Sequence, residues 1–392
     1  MFNRREFLTS AAASSLVLSS GVALANAPTD QRLVIILQRG GQDGLQALPP
    51  FADPAYYRAR PTIGIRPPGE EGGALNLNGT FGLHPEMTFL AELYAKGELI
   101  AVPAASTRYR ECSHFDGQDL LENGSGRPDG ARSGFLNRAL AGLPDAENPA
   151  GLNIGLKAPL ILFGDHPTQT FAPSNYPAPS DQFLDLLAET YEDDPALAAA
   201  LAAAVEDDLE LELSREQIGR INGRSDASLT ASIVGPLLAR PRGPRVTVIE
   251  SQGWDTHNNI SFRGKRLFRG LSDTFAALAE AMAPVWDKTL IISVSEFGRS
   301  LHQNGGNGTD HGTGGTMFLA GGAVRGGRVI GDWPGLRTRD LYQERDVYPA
   351  NSVEGVLKAA LIDHLGIAQG HVENVVFPGT STITPFDGLF QS

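Results

Sequence analysis

Cysteine is nearly missing from this chain: Cys112 is the only one in 392 residues. An intramolecular disulfide is therefore excluded, and so is a zinc site built from thiolates. Any metal must be held by Asp, Glu and His, a donor set that favours hard or borderline ions. Positive charge is also in deficit, with 32 Lys and Arg against 45 Asp and Glu and a formal net charge of −13. That balance argues against a nucleic-acid surface and against a general binder of anionic membranes. Nucleotide and haem fingerprints are absent as well. The glycine turn R-G-G-Q-D-G is not G-x-G-x-x-G, so a redox role has no support. No internal repeat and no second composition regime interrupts the chain.

What is present begins with an address. Met1–Leu8 reads M-F-N-R-R-E-F-L, and the stretch A-A-A-S-S-L-V-L-S-S-G-V-A-L-A follows. A charged start with paired arginines, a weakly apolar stretch and small residues at a cleavage point are the outline of a twin-arginine export signal. The expectation is a signal over residues 1–25, cut after Ala25, with the twin-arginine export machinery as a partner and a periplasmic or secreted destination. The apolar stretch is short and diluted by serine, well under the ~20 residues that span a bilayer. A stable membrane anchor is therefore not expected, and no cysteine lies near the cut to make a lipoprotein.

Residues 26–392 read as a single α/β domain. Leu33–Leu37 and Leu99–Val102 are continuous apolar, β-branched runs, the pattern of strands buried on both faces. Between them, Pro85 opens and Gly97 closes a helical pattern, after a Pro- and Gly-rich stretch over 53–82 that reads as a surface loop. Strand, helix, strand implies a parallel sheet. Leu160–Phe163 is another strand candidate. Residues 181–240 are acidic, alanine-rich and helical, and read as an insertion or cap. The rhythm resumes with a strand at Val246–Glu250, a helix over 262–286, a strand at Leu290–Ser295 and a last helix over 353–366.

In open α/β sheets ligands bind outside the carboxyl ends of the strands. Three predicted strands run out into carboxylates there: Asp43, Asp255 and Glu296. His257 follows Asp255 closely, Arg299 follows Glu296, and Asp310 and His311 sit side by side in a glycine-rich stretch. Each has an ordinary reading: Asp43 as a turn residue, Asp255 as a helix cap, Glu296 as a local ion pair with Arg299, and His84 and His114 as structural. Gathered at one sheet edge, unpaired carboxylates would repel one another and be driven toward protonation. A divalent cation (Zn, Mn, Mg or Ca) removes that penalty.

The twin-arginine start together with R-G-G-Q-D-G-L, S-H-F-D-G-Q-D, G-W-D-T-H, S-E-F-G-R and G-T-D-H-G resembles a family of exported bacterial proteins of unknown function, the domain of unknown function 1501. That family is similar in fold to alkaline phosphatases, sulfatases and phosphoglycerate mutases, so the resemblance implies a three-layer α/β/α, alkaline-phosphatase-like fold. It also implies a metal set of Asp43, Asp255, His257, Glu296, Asp310 and His311. Those enzymes carry Asp-His where this chain has Glu296-Phe297, so one imidazole is missing, with His302 and Asp310 as the alternatives for its place. A hydroxyl nucleophile is implied at the start of the helix after the second strand, with Ser113 as first choice and Thr107 as second. His114 is then a candidate acid or ligand, and Arg299 a candidate grip on the anion. The expectation is an exported, metal-dependent hydrolase of phosphate or sulfate esters acting on a small anionic ester. The alternative is a non-catalytic periplasmic metal- or anion-binding protein with a degenerate site.

Overall fold

The computed structural model describes residues 29–143, 150–154, 158–171, 180–195, 197–198, 201–202, 226–241 and 243–391. The expected export signal lies outside the described residues, as does most of the acidic stretch after residue 195. Among the described residues, no helix is long and apolar enough to cross a membrane.

The strands used below are β1 (Arg32–Arg39), β2 (Leu99–Ser106), β3 (Gly151–Ile154), β4 (Gln169–Phe171), β5 (Val246–Gln252), β6 (Thr289–Ser295), β7 (Gly298–Gln303), β8 (Thr309–Gly312), β9 (Gly315–Ala320), β10 (Arg328–Val329) and β11 (Asn351–Ser352), besides a short antiparallel pair, Leu75–Asn76 with Gly82–Leu83. The helices used below are α1 (Gly44–Ala47), α2 (Pro54–Ala59), α3 (Thr88–Ala95), α4 (His114–Asn123), α5 (Phe135–Leu140), α6 (Asp181–Tyr191), α7 (Ala227–Leu238), α8 (Ile260–Ala281) and α9 (Val353–Ala359). A nine-stranded sheet runs in the order β10-β2-β9-β6-β1-β5-β3-β4, with β11 also on β2. β1 lies parallel to β5 and β6, and β3 parallel to β5 and β4. β9 is the exception, antiparallel to both β2 and β6. The fold is thus α/β around a mostly parallel sheet.

The alternation along β1 shows why three layers form. Leu33, Ile35 and Leu37 face a core built with α5 and α9, while Val34 and Ile36 face one built with α3, α7 and α8. Side chains of a strand alternate between faces, so a continuous apolar run demands a helical cover on both. The expected β1, β2, β5 and β6 strands are all present, and all run longer than their apolar stretches suggested.

Several local expectations are corrected. Leu160–Leu162 is a 3-10 turn, not a strand: Pro159 precedes it, and the Ile161 N–H donates to Glu122 Oε2 (3.1 Å) instead of to a sheet neighbour. A short apolar run cannot by itself separate a buried turn from a strand. The sheet edge is instead built from β3 and β4. The 53–82 loop contains α2, begun by the Asp53 cap on the Ala55 N–H (2.8 Å) with Pro54 at its first position. α3 starts at Thr88 and not at Pro85. Of the 181–240 stretch, α6 buries no side chain, whereas α7 buries Ala231, Val234, Leu237 and Leu238 and belongs to a covering layer of the sheet.

Candidate metal centre

The carboxyl ends of β1, β5 and β6 open onto one edge. β1 runs into Gly40 and Gly41, with φ of +119° and +67°. A Cβ on Gly40 would lie 2.5 Å from the Asp255 nitrogen, and one on Gly41 would lie 2.6 Å from the Phe297 ring. Only glycine allows the strand ends to approach this closely. The Trp254 N–H donates to the Arg39 carbonyl (3.2 Å) and its buried indole anchors the segment, leaving Asp255 facing the edge.

Three imidazoles meet that carboxylate. Asp255 Oδ1 lies 3.1 Å from His257 Nε2, 3.4 Å from His311 Nε2 and 3.5 Å from His114 Nε2. His257 Nε2 and His311 Nε2 are 3.0 Å apart. His114, Asp255 and His311 each bring one ligand atom within 4.8 Å of the others. His114 comes from the first turn of α4, His257 from the loop after β5, and His311 from β8.

The other ring nitrogen of each histidine fixes its tautomer. His311 Nδ1 meets the Cys112 carbonyl (2.8 Å), which can only accept, so Nδ1 carries the proton. His257 Nδ1 meets Asp310 Oδ1 (3.2 Å), and His114 Nδ1 meets Glu296 Oε1 (2.9 Å). Hydrogen bonds from Asn304 and His257 hold Asp310 below the usual carboxylate range. Burial works to raise Glu296, but bonds from His114 and Gln118 outweigh it and hold it low. Both carboxylates are therefore acceptors, and their histidines donate. The three Nε2 atoms then converge on an ionised aspartate, and the Glu296 hydrogen bond, against burial, pushes the His114 imidazole up toward its charged form. Burial would raise Asp255, yet Arg299, then His257 and His114, keep it at about 2. The Nε2 of His114 is buried without a hydrogen-bond partner. Such a cluster is stabilised by positive charge at its centre, supplied by a proton or by a metal ion. Imidazoles whose second nitrogen is held by a carboxylate or carbonyl are the arrangement that metal-binding histidines adopt.

The structure sorts the remaining expected residues. Glu296 is 1% exposed and fully engaged: Oε1 accepts from the Gly40 N–H (2.9 Å) and Gln118 Nε2 (3.0 Å) besides His114, and Oε2 from Ser295 Oγ (2.8 Å). It orients His114 and does not itself face the cluster. Asp310 orients His257 in the same way. Asp310 and His311 are adjacent in a strand and would normally point to opposite faces. A break in the β7–β8 register between Thr309 and His311 lets both reach His257, as bulges commonly re-aim side chains.

Two expectations are corrected. Asp43, expected in the metal set, is not among the residues that meet at Asp255. It caps α1, accepting from the Gln46 N–H (3.1 Å), pairs with the buried Arg60 (2.8 Å) and accepts from Thr309 Oγ1 (2.8 Å). A fixed guanidinium already neutralises it. Arg299 is no free grip for an anion. Its side chain is 0% exposed, with Nε donating to the Gly41 carbonyl (2.7 Å) and Nη2 to Asp255 (2.6 Å), Trp254 and Gly40. Nor is Glu296 its partner; Arg299 pins Asp255. The third imidazole beside Asp255 is that of His114, and His302 is exposed. Phe297, in the histidine's expected place, is 3% exposed and packs against the rings of His114 (4.9 Å) and His311 (5.2 Å).

Of the hydroxyl candidates, Thr107 is buried, and its Oγ1 lies 3.4 Å from the Glu296 carbonyl. Ser113 is the N-cap of α4, where its Oγ accepts a long 3.5 Å bond from the Asp116 N–H. It stands between Cys112, whose carbonyl holds His311, and His114 itself. Cys112 has φ of +58°, a left-handed conformation that a non-glycine residue adopts at some cost. Sequence reasoning missed Arg60, Gln118 and the Cys112 carbonyl. The third imidazole was signalled by the S-H-F-D-G-Q-D stretch, whose S-x-x-D start at Ser113–Asp116 places His114 in the first turn of a helix.

A mostly parallel α/β sheet with a histidine–aspartate cluster beyond its carboxyl edge defines an α/β protein with a candidate metal centre. Residues 104–374 match the family described as "Protein of unknown function (DUF1501)", and the chain belongs to that family. No curated protein shows a sequence match. Similar solved structures include Ps i-CgsB in complex with k-i-k-neocarrahexaose, at 10% identity and a TM-score of 0.40 over 91% of this chain and 77% of that one. An alkaline phosphatase from the Antarctic bacterium TAB5 aligns at 11% identity and 0.33, covering 74% and 91%. A protein of the alkaline phosphatase superfamily from Vibrio parahaemolyticus aligns at 11% and 0.32, covering 82% and 69%.

Proposed function

We propose that this protein is an exported hydrolase of phosphate or sulfate esters with a single divalent metal centre held by His114, Asp255, His257 and His311. The observation that carries the reading is the convergence of three Nε2 atoms on Asp255 Oδ1, each imidazole locked from behind by Glu296, Asp310 or the Cys112 carbonyl. Three imidazoles and one carboxylate suit Zn or a similar transition ion better than Mg or Ca, which prefer all-oxygen sites. When bound, the ion supplies charge neutralisation and polarisation of an ester oxygen.

The chain's own groups do the rest. Ser113 Oγ stands at the N-terminus of α4, where the helix dipole favours a developing negative charge. In the proposed reaction Ser113 Oγ bonds to phosphorus or sulfur, the ester alcohol leaves with the hydroxyl proton, and water then releases the inorganic anion and restores the serine. Arg299 keeps Asp255 ionised and in place.

Metal analysis and assays of the full chain on aryl phosphates and aryl sulfates test this. His311→Ala is expected to lose metal and turnover, and Ser113→Ala to lose turnover while keeping metal. Turnover that survives both substitutions refutes the site. A second reading, metal binding without catalysis, is favoured by one observation: Ser113 Oγ accepts from its own helix, at the Asp116 N–H. Stoichiometric metal without turnover of any ester would select it.

A further inference from the structure

Gln343 and Glu344 both adopt left-handed φ, 50° and 55°. The Arg345 N–H donates to the Tyr342 carbonyl (3.1 Å), closing the turn. Positive φ at both central positions of such a turn is the type I′ geometry, which Asn and Gly adopt readily and longer side chains resist. The strain is held in place on both sides. Tyr342 and Asp346 form a bridge, Arg110 lies over the Tyr342 ring (5.8 Å), and Thr313 Oγ1 donates to the Val347 carbonyl (2.6 Å). Strained backbone persists where a position matters more than its cost.

The position that this turn fixes is that of Arg345. Its Nη2 donates to the backbone carbonyl of His311 (2.8 Å), so the guanidinium lies against a residue of the cluster. Its contact with Asp346 is long, 3.5 Å, and the side chain is 55% exposed. The other arginines here are engaged: Arg299 and Arg60 are 0% exposed with each guanidinium nitrogen hydrogen-bonded, Arg39 is paired with Glu122 and Glu250, and Arg110 donates to the Thr107 and Tyr109 carbonyls. Of these, Arg345 is the most exposed, its side chain 55% open against 19% for Arg39. Its charge is felt at Asp310 and Cys112 on either side.

We propose that Arg345 recognises the anionic group of the substrate, gripping the oxygens of a tetrahedral oxyanion beside the histidine–aspartate cluster. This rests on the hydrolase reading above and supplies the anion contact that Arg299 cannot make. Planar guanidinium matches phosphate and sulfate oxygens two at a time, so the grip selects phosphate or sulfate esters over neutral ones.

The test titrates inorganic phosphate and inorganic sulfate into the full chain, with and without added Zn²⁺, by calorimetry. Arg345→Gln is compared with Arg345→Lys and with Lys96→Gln, an equal charge loss on an exposed residue before β2, at the opposite sheet edge. Arg345→Gln is expected to keep its metal and melting temperature and to bind both anions about 10- to 100-fold more weakly. Arg345→Lys should fall between, and Lys96→Gln should match wild type. Equal affinity in Arg345→Gln and wild type, an equal loss in Lys96→Gln, or no anion binding by wild type overturns the proposal. Anion binding that depends on Arg345 in a protein that turns over no ester keeps the assignment and refutes the hydrolase reading instead.

Discussion

Glu296→Gln isolates the group that stands behind His114. The carboxylate receives three bonds on Oε1, from Gly40, Gln118 and His114, and one on Oε2 from Ser295. Glutamine can keep this arrangement, its amide oxygen in place of Oε1 and its NH₂ toward Ser295 Oγ, which can accept. Shape and packing are retained and only the charge is removed. The His114 Nδ1–H bond falls from charge-assisted to neutral, a loss of about 1–2 kcal/mol. Because that bond sets the ring and the basicity of Nε2, the loss reaches the metal as roughly a 10-fold weaker affinity, the low end of what partners behind ligands are worth. Zn²⁺ affinity is measured by competition with a chromophoric chelator, alongside thermal melts of the metal-free protein. The expected result is weaker Zn²⁺ binding with a melting temperature close to wild type. Unchanged affinity would refute the reasoning, because Glu296 would then have no part in preparing His114.

Asp43→Asn should separate the buried ion pair from the metal centre. Leaving Arg60 buried without its carboxylate is expected to cost about 3–5 kcal/mol in urea unfolding, with metal per chain unchanged; loss of metal would restore Asp43 to the ligand set. Chelator treatment should lower the melting temperature, and excess Zn²⁺ at ~100 times its Kd should return about 2.7 kcal/mol of stability. His84 and His364 are buried, and burial lowers them to about 3 and about 4. The unfolded chain protonates these histidines near pH 6.5 while the fold resists it, so their stability is complete above that pH and is lost as pH falls toward 4. The slope should approach about 1.4 kcal/mol per pH unit for each, and His364→Gln should flatten it in denaturant titrations at pH 7, 6 and 5.

The parts legible in the sequence share one property: their signal is local. Continuous apolar runs gave β1, β2, β5 and β6, because a strand covered on both faces leaves no room for polar residues. Asp255, His257 and His311 could be placed because they follow strand ends or lie in glycine-rich segments. Asp43 and Arg299 were misread for the opposite reason. Their roles are set by residues remote in the chain, Arg60 and Thr309 for Asp43, and Asp255 with the Gly40 and Gly41 carbonyls for Arg299. A carboxylate at a strand end looks the same in sequence whether a metal or a buried guanidinium neutralises it. The histidine expected beside Glu296 arrives from α4, so the imidazole and the carboxylate that would have been neighbours in sequence are neighbours only in space. Asp310 and His311 stand in a glycine-rich stretch whose sequence does not show the break in strand register beside which both reach His257.

The central claim is that His114, Asp255, His257 and His311 hold one divalent ion. Elemental analysis of gently purified protein, wild type beside His311→Ala, tests it most directly. The account predicts about one transition ion per chain in wild type and almost none in the variant, as a single four-ligand site requires. Metal-free wild type, or a variant that keeps its metal, would contradict it.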